Sequence, residues 1–205
     1  MNNWVLVGGL IVSLFIAIVF WIPGFLQSKL ADYPAAMARL FGMAGYTLAI
    51  FKVGLGSRLP LFEKGLSIKK IETAHRLTAV FGFSFIFAHP VSYFTSDLLN
   101  YGRMILEWPM LFGLIVLILI LVTVLSVILF KDYRKKYGSW KGMHWISYLI
   151  PPIIFIHSML LGSDINSQVL LKIYWILLGC VYLILVASIY LHRRRSQRVE
   201  NAFGA

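Results

Sequence analysis

Charge is scarce in this chain, acidic charge scarcer still, and cysteine almost absent. Only 13% of its 205 residues are charged against 60% hydrophobic, and the mean hydropathy is +0.81. That balance excludes an ordinary soluble domain. The one cysteine, Cys180, lies inside an apolar stretch, so neither a disulfide framework nor a thiolate metal cluster can form within one chain. Eight acidic residues face nineteen basic ones, a net charge of +11. The basic residues are confined to short loops between apolar runs, so the charge is read as membrane topology and no nucleic-acid partner is expected. There is no low-complexity tract and no soluble flavin or nucleotide domain, and residues 1–205 read as a single membrane domain. The first apolar run, 4–22, has no basic leader and no small-residue cleavage site, and it is longer than a signal core. It is expected to be retained as a helix.

What is present is a series of apolar spans near 20 residues, the length that crosses a bilayer. Six are expected, roughly 3–23, 36–56, 72–95, 108–130, 142–161 and 169–191, in an all-α six-helix transmembrane bundle. Arg58, Lys64, Lys69 and Lys70, with Lys52 and Arg76 at their edges, crowd the second connection; Lys131, Arg134, Lys135, Lys136 and Lys141 crowd the fourth; Arg193, Arg194, Arg195 and Arg198 the tail. Fifteen of the nineteen basic residues thus fall on one side, which the positive-inside rule makes cytoplasmic, with both termini. A bacterial inner membrane is the expected setting. The tail beyond His192 is expected to add about one turn of basic helix.

Four of the five histidines sit in two of these spans. The third span carries His75-Arg76 near its start and His89-Pro90 fourteen residues later; the fifth opens on His144 and reaches His157 thirteen residues on. An ionisable side chain in hydrocarbon is costly unless paired, and points to function. At 3.6 residues per turn His75 and His89 return to within roughly 40° of one face, about 21 Å apart. His144 and His157 are about 19.5 Å apart on a straight helix but roughly 140° apart around it. Pro151 and Pro152 lie between them and free the carbonyls of Ser147 and Tyr148. They are expected to kink the helix and turn His157 back. The loop charges make the third and fifth helices parallel, so His75 and His144 share an inner depth, His89 and His157 an outer one. Neutral imidazole is a standard axial ligand of haem iron, and two facing pairs describe two stacked haems b between helices three and five. Without a C-x-x-C-H motif these are held without thioether bonds. The competing reading, histidines as hydrogen-bonded glue between helices, suits one such residue better than four paired by depth. Gly82, midway between His75 and His89, either clears space for a macrocycle or serves close helix packing.

His75-Arg76, His89, His144-x-x-Ser147-Tyr148 and His157, in this order and spacing, resemble the ferric reductase-like transmembrane domain. That superfamily holds NADPH oxidases, ferric reductases and the haem-binding subunit of periplasmic methionine sulfoxide reductase. The loop Ser57-Arg-Leu-Pro-Leu-Phe-Glu-Lys64 further resembles prokaryotic NADPH oxidases. The resemblance implies single electrons passing from a cytoplasmic flavin through two haems to an outer acceptor, oxygen or ferric iron, or to a separate periplasmic reductase. It implies His75 and His144 on the inner haem, His89 and His157 on the outer. Oxidases and ferric reductases continue from the sixth helix into FAD- and NAD(P)H-binding domains. This chain runs fourteen residues past Leu191, so a flavin reductase domain or partner protein is expected to supply them.

Haem propionates call for cations. Arg76 and Lys141 are the expected partners of the inner haem, Arg39 and Arg103 of the outer, with snorkelling to headgroups as the alternative for each. His192, among arginines, is read as a solvated interfacial residue. Two other functions remain: a quinol-linked cytochrome b, and, outside redox chemistry, a transporter with a histidine proton relay. The basic loops have two readings, a plain topology signal and a docking face for a flavin donor. On the second, neutralising Lys135 and Lys136 is expected to leave haem content unchanged while slowing reduction by a flavoprotein; stopped-flow rates that ignore both the substitution and the salt concentration would count against docking.

Overall fold

The computed structural model describes residues 3–57, 59, 67–129 and 145–203, and every regular element among them is helical. In chain order these are α1 (Asn3–Leu26), a 3-10 turn (Leu30–Asp32), α2 (Tyr33–Gly56), α3 (Ile68–Tyr101), α4 (Met110–Leu129), a second 3-10 turn (Trp145–Tyr148), α5 (Ile150–Leu161), α6 (Ser163–Ser167) and α7 (Val169–Phe203). Pro34 in the first turn of α2 sits where its missing N–H has no partner to lose. Gly102 ends α3 in the left-handed conformation, φ 66°, which glycine adopts without a Cβ clash.

Five of the described helices are long and apolar enough to cross a membrane, the stretches being Gly8–Leu26, Leu30–Gly56, Ile68–Tyr101, Met110–Ile128 and Val169–Arg195. The expected fifth span is built differently. Its described part, Trp145–Leu161, is apolar but shorter, and α5 has 12 residues, about 18 Å of rise against a hydrocarbon core of about 30 Å. Pro151 and Pro152 are the reason. They do not kink a continuous helix; they open a new one, after a 3-10 turn. The carbonyl of Tyr148, one of the two expected to be freed, accepts the hydroxyl of Tyr182 from α7.

The tail also departs from expectation. Instead of a single basic turn beyond His192, α7 continues unbroken to Phe203 over 35 residues, about 52 Å. Arg, Gln, Glu and Ala in that stretch favour helix. The Arg193 guanidinium lies 4.6 Å from the Trp145 ring centre and that of Arg194 4.6 Å from Tyr190, cation–π contacts that hold the start of the extension in place.

The bundle is organised on α2. Of its stretch 56% is buried, against 6% for α1. One side meets α1 and α7 in a core around Tyr46 and Trp175, whose ring centres are 4.6 Å apart; the Trp175 indole N–H donates to Ser158 Oγ of α5 at 2.6 Å. The other side is a seam of small residues, Ala38, Gly42, Gly45, Ala49 and Gly56, against which α3 lies. The approach is close: a Cβ on Gly45 would fall 2.7 Å from Ile86 Cγ1 and 3.4 Å from the Ile86 backbone nitrogen. Small residues that let helix backbones meet are how helices associate where both solvent and side chains are apolar. Gly45→Leu is accordingly expected to cost about 1–3 kcal/mol through overpacking. Gly8→Ala, with nothing within 4 Å of the added atom inside α1, should not destabilise and should gain up to about 1 kcal/mol of helix propensity; unfolding curves in detergent measure both.

Candidate functional site

The three described histidines of the spans are held in one and the same way. His89 on α3 directs Nδ1 to the carbonyl of Ala38 at 2.8 Å, His75 directs it to that of Lys52 at 3.1 Å, and His157 on α5 to that of Pro109 at 3.1 Å. A carbonyl only accepts, so in each ring Nδ1 carries the proton and Nε2 the lone pair. Each ring also lies against the glycine four residues beyond that carbonyl. A Cβ would stand 3.1 Å from His89 Nδ1 at Gly42, 3.0 Å from His75 Cε1 at Gly56 and 3.0 Å from His157 Cε1 at Gly113. In a helix the residue four along stacks over the carbonyl, and any side chain there would occupy the space the imidazole needs. Helix α2 carries this carbonyl–glycine device twice, at 38/42 and 52/56, fourteen residues apart. It runs antiparallel to the matching interval of His75 and His89.

The structure brings two of the expected ligands together. The rings of His89 and His157 have centres 6.2 Å apart and planes at 89°, although α3 and α5 themselves hardly pack on each other. With each nitrogen roughly 1.1 Å from its ring centre, a direct N–H···N bond of about 2.9 Å would bring the centres to roughly 5.1 Å. Two imidazoles facing across one metal, with bonds of about 2.0–2.1 Å, would hold them about 6.3 Å apart. The separation is too long for a direct N–H···N bond and is that of an edge-to-face ring contact; with Nε2 as the lone-pair nitrogen in both rings, the pair also has the donor chemistry to hold a metal. Among the described residues no three His, Cys, Asp or Glu side chains gather into a cage.

The remaining expected site residues divide. His144 and Lys141 lie outside the described residues. Arg76 is exposed on α3 beside Leu77 and Val80. Arg39 faces another partner: its Nε stands 2.9 Å from Asp164 Oδ2, a charge contact outside hydrogen-bond geometry. Gly82 is buried and packs toward α2, where a Cβ would meet that of Leu48 at 3.4 Å. It also borders a cavity of about 60 Å³, lined by Lys52, Thr78, Thr123, Ser147 and Ile150 among others. That cavity is too small for a porphyrin. On α3 its lining, Thr78 to Ile86, lies between the levels of the two histidines.

Reading the sequence for histidines missed Gly42, Gly56 and Gly113 altogether. The signal was there for two of them: they repeat, on the facing helix, the fourteen-residue interval of His75 and His89.

Residues 41–156 match the family of the ferric reductase like transmembrane component. The match takes in His75, His89 and His144 and stops one residue before His157. The chain belongs to that family. It is thus a multi-pass membrane protein and a component of a membrane oxidoreductase, of a kind that moves electrons across the bilayer. Among curated proteins none matches it.

Gly113→Ala tests the carbonyl–glycine device. The methyl would crowd His157, and losing the bond to Pro109 is expected to cost about 1 kcal/mol. In histidine-labelled protein the ¹⁵N resonances of His157 should move while those of His75 stay; an unmoved His157 signal would remove the glycine's assigned role.

Proposed function

We propose that this protein is a transmembrane electron relay built on two haems b, taking electrons from a cytoplasmic flavin fed by NAD(P)H and delivering them to oxygen or ferric iron outside. His75 and His144 bind the inner haem, His89 and His157 the outer. The observation that carries this reading is the His89–His157 pair, two imidazoles of the same tautomer whose ring centres lie 6.2 Å apart. Family membership supports the same chemistry.

Haem iron held there supplies a one-electron couple whose potential follows ligand identity, hydrogen bonding and burial. The chain's own residues do the rest. The carbonyls of Ala38, Lys52 and Pro109 fix each ring and raise the basicity of its Nε2. Apolar helices keep water from the rings. His89 and His157 would hold the outer haem and between them occupy the ligand positions it offers, and no side chain of this chain is called on as general acid or base. The concentration of basic residues sets the His75 level and both termini on the cytoplasmic side, where a flavin reductase domain or protein docks.

The purified protein is expected to show a reducible b-type absorption spectrum with two haems per chain. His89→Ala should remove one haem and stop electron delivery to an external acceptor. A colourless wild-type protein, or a variant that keeps both haems, would overturn the reading.

A further inference from the structure

Arg39 and Asp164 form the one ion pair found among the described residues, 2.9 Å between Nε and Oδ2, with side chains only 31% and 21% exposed. Its position is informative. Arg39 directly follows Ala38, whose carbonyl holds His89, and it precedes Gly42, on which the His89 ring rests. The guanidinium passes beside Gly24 of α1, where a Cβ would lie 3.8 Å from it. Asp164 belongs to α6, which is tied to the last turn of α5, the helix of His157: Asn166 Nδ2 donates to the Met159 carbonyl at 3.1 Å and the Gly162 N–H to that of Ser158 at 2.8 Å. One partner is thus continuous with the His89 anchor, the other with the His157 helix.

Direct packing of α3 on α5 does not set the distance between the two rings, because those helices hardly meet. Helix α3 follows α2 through the small-residue seam. Two routes can then fix the separation of His89 from His157: α4, whose Val116 and Ile120 share a cluster with Phe83 and Ile86 of α3 and Ile150 of α5, and the contacts between α2 and the α5–α6–α7 side. Tyr46–Trp175 supplies one such contact near mid-bundle; Arg39–Asp164 supplies the one at the level of the rings. An ion pair at this partial burial is less screened than one on an open surface.

We propose that Arg39 and Asp164 are positioning residues, a charge clamp that fixes the spacing and mutual angle of His89 and His157; the inference rests on reading those imidazoles as an axial pair. It gives Arg39 a task other than meeting a propionate.

The test uses the full chain in nanodiscs, in a Cys180→Ser background with nitroxide labels at Thr95→Cys on α3 and Leu160→Cys on α5. Both parent positions are exposed. Pulsed electron resonance on the haem-free protein should give one narrow distance distribution. Asp164→Asn and Arg39→Gln should each broaden or shift it, and the exchange Arg39→Asp with Asp164→Arg should restore it. In haem-loaded protein the same two single variants should lose the strongly anisotropic low-spin signal that perpendicular axial rings produce, with the exchange recovering it and the second haem unchanged. Single variants that leave both the distances and that signal as in the parent would overturn the clamp, as would an exchange that recovers neither. A parent protein that binds no haem strikes the proposed function, while the distance measurement still decides the clamp.

Discussion

An imidazole inside a membrane needs its N–H satisfied by the protein, and the partner at hand is a backbone carbonyl already engaged in its own helix. Such a carbonyl keeps a second lone pair, but the next turn of side chains ordinarily shields it. Glycine four residues along removes the shield. Most of the arrangement follows from this requirement: the seam of small residues on α2, the tightness with which α3 lies on it, and the uniform tautomer of His75, His89 and His157. The same residues serve packing and chemistry at once. A helix interface loose enough to accept larger side chains would leave the histidines without anchors.

The helical class, five of the spans and the depth pairing of His89 with His157 were legible because each is written in local pattern: apolar length, loop charge and spacing along a single helix. The anchors were not legible in that way. Gly82 drew attention because it shares a helix and a face with the histidines, whereas Gly42, Gly56 and Gly113 act from helices opposite, and nothing within α3 or α5 points to them. The partner of Arg39 was hidden for the same reason. Asp164 lies 125 positions away in a five-residue helix that no periodicity announces. Pro151 and Pro152 were recognised as a break, but whether a proline pair bends a helix or begins another depends on what waits for the released carbonyl. Here the Tyr182 hydroxyl of α7 was waiting.

That hydroxyl gives α7 a wider part in the design than a closing span. It is bonded to the 3-10 turn through Tyr182, lies over the same turn through Arg193 and Trp145, and meets α5 again through Trp175 and Ser158. Helix α5 is too short to be steady on its own by backbone bonds across the bilayer, and α7 braces it at both ends. Family membership and the histidine geometry thus meet in a scaffold in which α3 lies on α2, and α5 lies on α4 with α7 bracing it.

The equal fourteen-residue intervals on α2 and α3 also constrain how such a protein can change over time. Adding or removing one residue between Gly42 and Gly56 would swing one anchor about 100° around the helix axis, stranding a histidine whose own sequence had not altered. Substitutions can accumulate along both helices, but their lengths between the anchor points can be edited only in concert. The interval behaves as a ruler shared by two separate stretches of the gene.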